Sequence, residues 1–436
     1  MSDPNQGFSA RQLGWMRRWH SQAHLRTETG SRPVSRPEWE AFLTSIADQI
    51  DRDRFDFRGL RWHFARGKLT LSTSHLEDTL VIRKINDNLR RAYGIRQPNR
   101  SALIRTAKQA LRETTPKTII RIDLKGCFEG INRNALLREI ESDAKLSTQT
   151  TGLLSALFRK ADRRLKQQMP EGIPRGLNIS SSLAEIRLRA LDRELRILPG
   201  TYLYLRYVDD LLIFTTGEEK DAVSAARRVI KENGFRVNEK KTSSVQVGCD
   251  CERQCSHGAS CPCLKKCSCF SRGKAPLDVE YLGYKLIFDK HNDSKKDYNE
   301  IYCVLSDRKG ARIKTRLVRS FQDCRETKDW NLLEDRVRYL TSNQRVAASP
   351  DMRGLFNGLS YTHAEYEEPE GHDGPGSLQD LDSFYRAELR RLIGSLGDPP
   401  NADTLTKMTF RSGFFHHRRT KLSGKRVLQI QACWES

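Results

Sequence analysis

The sequence predicts an α+β fold, and three observations carry that prediction. Between residues 118 and 247, short runs of branched and aromatic residues alternate with longer stretches of helical periodicity. Two of the apolar runs, TIIRIDL and YLYLRYVDDLLIF, place acids where a buried strand would ordinarily have none. The length of 436 residues exceeds one ordinary domain and implies two or three units, each with its own core.

Residues 1 to 75 are basic and dotted with Trp, with weak periodicity, and residues 76 to 117 carry many positive charges and end in the helix-like SALIRTAKQALRE. TIIRIDL then reads as a strand, followed by a long helical region and the strand-like YLYLRYVDDLLIF. DAVSAARRVIKENG reads as a helix closed by Gly234. A cysteine-rich insert fills 249 to 269, and DVEYLGYKLIF resumes strand character at 279. The remainder is predicted to be mostly helical, broken by EYEEPEGHDGPGS, whose acidic Gly/Pro composition predicts a solvated connector.

Charge narrows the class of partner. Lys and Arg number 76 against 55 Asp and Glu, a formal net charge of +21. The isoelectric point is near 9.6, an excess better matched to a polyanion such as nucleic acid than to solubility alone. No apolar run approaches the roughly 20 residues of a membrane span, and MSDPNQGFSARQLGWMRRWH lacks the apolar core of a signal peptide. A cytoplasmic protein is expected, in which the 11 cysteines stay reduced and a dense cluster of them means metal rather than disulfides.

Asp209 and Asp210 sit adjacent at the centre of an apolar run, where an unpaired carboxylate would protonate rather than stay charged, so a cation is expected beside them. Asp123 ends TIIRID in the same manner. One buried Asp is more often a cap or an ion-pair partner. Two such strands side by side would bring three carboxylates together, a site for two Mg²⁺ ions that activate an attacking hydroxyl and stabilise a leaving oxygen in phosphoryl transfer.

With these residues in place, the chain resembles the reverse transcriptases. Tyr207-Val208-Asp209-Asp210 is similar to that family's catalytic turn, and Asp123 through Phe128 to its first acidic motif. GIPRGLNISSSLAEI, residues 172 to 186, resembles the loop and helix that support template and nucleotide, with Gly176 allowing close backbone approach. Asn238, Lys241 and Thr242 fit the family's Asn-x-x-Lys-Thr element, and Tyr281, Leu282, Gly283 and Tyr284 resemble the primer grip. Five motifs in family order cover about 118 to 284.

The resemblance implies a right-hand polymerase with a ferredoxin-like palm, fingers and a mostly helical thumb or C-terminal region. Its expected divisions are a basic N-terminal region at 1–75, fingers at 76–117, a palm at 118–290 containing the insert, and a helical thumb or extension at 291–436. Asp123 and Asp209 would bridge the metals with Asp210 assisting, and Lys241 would act as general acid at the leaving pyrophosphate unless it is a plain surface lysine. Phe128 would exclude a 2′-hydroxyl, or serve only as a core aromatic. Arg175 and Gly176 fall in the substrate loop, and Lys84, Arg96 and Arg100 in the region that grips the triphosphate.

Departures indicate the branch. Arg175 stands where many members have Gln, and Ser181 where intron-encoded and retroviral enzymes commonly have Pro. Those branches fit less well, and GIPRGLNISSSLAEIRLRALDREL followed by YVDD, with a C-terminal helical region ending FRSGFFHHRRTKLSGKRVLQIQACW, is most similar to the bacterial abortive-infection and defence-associated reverse transcriptases, and more narrowly to the smaller polymerase of the type 3 defence system. The expected partners are an RNA template, such as a non-coding RNA, the DNA product and dNTPs, and a partner defence protein or a second copy of the chain. A retron or group II intron enzyme, and a non-catalytic nucleic-acid-binding scaffold, are the competing readings.

The insert stands apart from that resemblance. Cys249 and Cys251, Cys255 and His257, Cys261 and Cys263, and Cys267 and Cys269 recur as pairs every six residues, eight soft ligands that make two tetrahedral Zn²⁺ sites with the pairing left open. A reduced thiol loop is the alternative. Cys127, Cys303, Cys324 and Cys433 read as isolated buried thiols, and His416 and His417 with Phe414, Phe415, Arg418 and Arg419 as a stacking patch or an ordinary basic helix.

Overall fold

A computed structural model describes residues 6–16, 35–65, 67–113, 115, 117–164, 172–247, 278–288, 300–346 and 355–435. The eight expected zinc ligands lie outside the described residues. The chain divides into two compact units, each built from two segments: Met1–Pro98 with Thr118–Ser244, and Asn99–Lys117 with Val245–Ser436.

The first unit begins with α1 (Ala10–Gly14) and α2 (Arg36–Asp51). A reciprocal cap starts α2, in which Ser35 Oγ accepts from the Glu38 N–H and the Glu38 carboxylate accepts from the Ser35 N–H at 2.8 Å. The segment read as weakly periodic also contains a hairpin, β1 (Leu60–Ala65) paired antiparallel with β2 (Lys68–Thr73). Next come α3 (Leu76–Ala92) and α4 (Arg100–Arg112), and α4 belongs to the second unit.

β3 (Lys117–Asp123), α5 (Arg133–Ser142), α6 (Thr148–Arg164), α7 (Ile179–Arg196), β4 (Thr201–Tyr207), β5 (Asp210–Thr215), α8 (Glu219–Glu232) and β6 (Ser243–Val247) follow. The sheet runs β4–β5–β3–β6. Ile119, Ile120 and Ile122 of β3 and Leu211, Leu212, Ile213 and Phe214 of β5 are buried, so both faces of the central strands are covered. The long amphipathic α7 supplies much of that cover, packing on β4, α3 and α8. Gly234, with φ 79°, closes α8 as its sequence suggests.

In the second unit, β7 (Asp278–Tyr281), β8 (Tyr284–Phe288) and β9 (Ile301–Leu305) form an antiparallel meander on which α4 packs. Ile104, Ala107 and Leu111 of α4 are buried, which explains why this helix, expected with residues 76–98, groups here. α9 (Asp307–Thr327), α10 (Trp330–Thr341), β10 (Asn343–Val346), β11 (Leu355–Asn357), α11 (Leu359–Thr362), α12 (Leu378–Leu396), α13 (Ala402–Lys407), α14 (Phe410–Phe415), β12 (Arg419–Thr420) and α15 (Gly424–Glu435) complete it. α9 packs on α12, and Phe321 and Tyr385 meet at 6.1 Å between ring centres.

The acidic loop at 365–377 is more than a solvated connector. Its backbone bridges to β9 through Cys303 and Glu367, and Tyr366 is buried with its ring 5.1 Å from that of Phe414. Turn-forming composition predicted the loop but not the aromatic that anchors it. Among the described residues no helix is long and apolar enough to cross a membrane.

Candidate active site

Each acid owes its place to a strand. β3 ends at Asp123 and β5 begins at Asp210, and the antiparallel register sets the two opposite one another. Asp209 lies in the turn between β4 and β5, next to Val208, whose φ of 58° is costly for a β-branched residue. The Leu124 N–H donates to the Asp209 carbonyl at 2.8 Å and the Arg206 guanidinium to the Val208 carbonyl at 3.1 Å, and these two bonds hold the turn.

Arg206 is itself gripped from α7. It donates to Asp192 at 2.7 and 2.8 Å and to Glu185 at 3.0 and 2.8 Å. Burial works against its charge, but the two carboxylates outweigh burial and hold it more firmly protonated than usual.

The chain after α8 returns to the end of β3 through a bridge between Leu124 and Val237. That return brings Asn238 Nδ2 to 2.7 Å from one Asp123 oxygen and Lys241 Nζ to 2.8 Å from the other. Asp210 is engaged differently, with Arg121 Nε and Nη2 each 3.2 Å from its oxygens. Burial pushes the Asp209 carboxyl above the ordinary carboxylate range, and the Asp123 charge pushes the same way. Burial also raises Asp210, against the opposing pull of Arg121.

Among the described residues no three His, Cys, Asp or Glu side chains already form a cation-holding group. Asp210 is turned onto Arg121 and Asp123 onto Lys241. Asp123 and Asp209 nevertheless fit Mg²⁺. Both offer hard carboxylate oxygens, and the burial that raises Asp209, with the Asp123 charge adding to it, is what a divalent cation offsets.

Phe128 and Arg175 come together, with the guanidinium 4.9 Å from the ring centre. Gly176 has φ 100°, and a methyl group there would lie 2.5 Å from the Leu71 carbonyl. A side chain there would block the close packing of this loop on β2.

The three triphosphate candidates separate sharply. Lys84 is buried, with Nζ 2.7 Å from Asn88 Oδ1 and 3.5 Å from Asp87, so its ammonium faces the interior of the first unit. Arg100 belongs to the second unit, where it donates to the Leu282 carbonyl and, at 2.8 Å, to the Thr362 carbonyl. Arg96 is exposed just after α3.

Leu282 and Gly283, with φ 49° and 78°, form the turn between β7 and β8, and Tyr281 and Tyr284 are buried within the second unit. The Tyr284 ring lies 4.9 Å from that of His363, tilted by 50°, and burial holds the His363 pKa down to about 3. Of the expected buried thiols, Cys127, Cys303 and Cys324 are buried and Cys433 is half-buried. The C-terminal aromatic patch is split, Phe414 lying inside and Phe415 outside.

Sequence reasoning missed Arg121, Arg206, Glu185 and Glu129. Arg121 had a signal, since strand alternation puts it on the face of Asp123 two residues away. The partners on α7 had none, because their pairing depends on how the helix packs.

Residues 72–286 match the family model described as reverse transcriptase (RNA-dependent DNA polymerase). No curated protein matches the chain. The matched stretch runs from β2 to β8 and contains both acid-bearing strands, the Lys241 element and the β7–β8 turn. It is a reverse transcriptase domain, which implies an RNA-directed DNA polymerase, and that family implies an RNA template, dNTP substrates and catalytic Mg²⁺.

Proposed function

We propose that Asp123 and Asp209 hold the catalytic Mg²⁺ in a palm built on the β4–β5–β3–β6 sheet, and that Asp210 shapes the site through Arg121 instead of carrying a full share of the ligation. The observation that supports this is the strand register, with Asp123 opposite Asp210 and Asp209 in the adjoining turn. Bound Mg²⁺ would activate the primer hydroxyl and stabilise charge on the leaving oxygen. Asn238 and Lys241 keep the Asp123 carboxylate oriented and neutralised beforehand. Lys241, one hydrogen bond from Asp123, is then a proton donor for the leaving pyrophosphate.

The test is Asp209→Asn, which replaces a charged ligand with a neutral one of the same size. Primer extension should fall by about a thousandfold or more while folding and nucleic-acid binding persist. Nucleotide incorporation at the wild-type rate would overturn the assignment.

The narrower biological reading is phage defence in a bacterial cytoplasm, with a non-coding RNA as template. It is supported by Arg175, Ser181 and the basic C-terminal segment. A defence role predicts that plating efficiency of a sensitive phage depends on Asp209. Two structural Zn²⁺ ions in the cysteine-rich insert belong to the same proposal, supported by the six-residue spacing of ligand pairs.

A further inference from the structure

We propose that Glu129 and Arg175 form a buttress that fixes the Phe128 ring and thereby sets the discrimination between deoxyribonucleotides and ribonucleotides. The proposal rests on the reading of Phe128 as the sugar gate and adds the residues that make a gate of it.

A phenyl ring excludes a hydroxyl only if it cannot swing aside, and a half-buried Phe on a turn has room to rotate. Here the ring is capped. Arg175 lays its guanidinium over the face at 4.9 Å from the ring centre. The same guanidinium is fixed by a fork of two bonds to Glu129, Nε to Oε1 at 2.7 Å and Nη2 to Oε2 at 3.1 Å. Glu129 follows Phe128 directly, so ring, carboxylate and guanidinium form a closed triangle. The Arg175 bond keeps the Glu129 carboxyl below its usual range, so the pair stays charged.

The backbone closes the same triangle. The Ile173 N–H donates to the Phe128 carbonyl at 2.9 Å, and the Arg175 carbonyl accepts from the Leu71 N–H at 2.8 Å. Gly172 lies so close that a methyl group there would sit 2.5 Å from Glu129 Cα. The loop therefore cannot drift from the ring it supports. With its fork on Glu129 and its face on Phe128, Arg175 acts as a positioning residue. Gln, frequent at this place in the family, has neither the charge for Glu129 nor the cationic face for the ring.

The test compares kcat/KM for a dNTP and the matching rNTP in primer extension by the full chain on an RNA template. Arg175→Met should lower discrimination about tenfold, chiefly through KM, and Arg175→Lys should restore part of it. Phe128→Ala should remove discrimination, and adding Arg175→Met to it should change nothing further, because the buttress acts only through the ring. Where Arg175→Met fails to fold, Glu129→Ala at the exposed end of the pair carries the same expectation. Equilibrium binding of dNTP and rNTP to the complex with a 3′-deoxy primer reads the same preference without turnover. Discrimination kept by Arg175→Met and Glu129→Ala but lost by Phe128→Ala would overturn the buttress and leave the gate standing. Discrimination kept by Phe128→Ala would overturn the gate and the buttress with it.

Discussion

Lys84 shows how much a single interior charge commits the chain around it. Its Nζ bonds to Asn88 Oδ1, and Asn88 Nδ2 in turn donates at 2.9 Å to both the Gln6 carbonyl and Thr150 Oγ1. One ammonium thus terminates a network joining the N-terminal segment, α3 and α6. Lys84→Met should cost about 1–3 kcal/mol, because it strands the Asn88 oxygen in the interior. The KM for dNTP should not rise. Denaturant unfolding and steady-state kinetics check the two halves, and a raised KM without a stability loss would return Lys84 to the nucleotide. At this scale the sequence was legible where residue chemistry was anomalous. Asp123, Asp209 and Asp210 stood out because carboxylates interrupt apolar strands, whereas a Lys on a helix carries no mark of whether it faces inward.

Among the elements, α7 does the most to shape the site, through a contact remote from nucleotide chemistry. Glu185 and Asp192, seven residues apart on one helix face, grip Arg206 of β4, and Arg206 holds the strained Val208 carbonyl. Arg206→Met would leave two largely buried carboxylates facing each other, and should destabilise the first unit by about 3 kcal/mol or more. It should also lower kcat, since the Asp209 turn loses one of its two tethers. Thermal unfolding with single-turnover kinetics would show both effects, and normal kcat in a destabilised variant would confine Arg206 to a structural role. Elements with strict periodicity, such as α4, β3 and α8, were readable in advance. The β1–β2 hairpin was missed, although Leu60, Trp62 and Phe64 alternate with Arg61 and His63 and Gly67 follows, which is itself a strand signal. Its pairing with the loop at Arg175 is a long-range contact that local pattern does not encode.

For the whole molecule, the net charge of +21 suits a polyanionic template, and the cysteine-rich insert carries a prediction of its own. Purified protein should contain about two zinc ions per chain, and Cys261→Ser with Cys263→Ser should reduce that number. Elemental analysis decides, and zinc-free protein prepared without chelator would favour a reduced thiol loop. The division into units follows no contiguous cut. The chain passes between them at 98, 117 and 244, and α4 is made long before the strands and helices that bury it. A growing chain must therefore carry the apolar face formed by Ile104, Ala107 and Leu111 uncovered until β9 has left the ribosome, a window of some 10–40 seconds at about 5–20 residues per second. The same connectivity warns against trimming. A fragment cut to residues 72–286 would lack Leu13, Leu43 and Ile46 of the first core and β9 of the second, so expression of the family-matched stretch alone should yield aggregate.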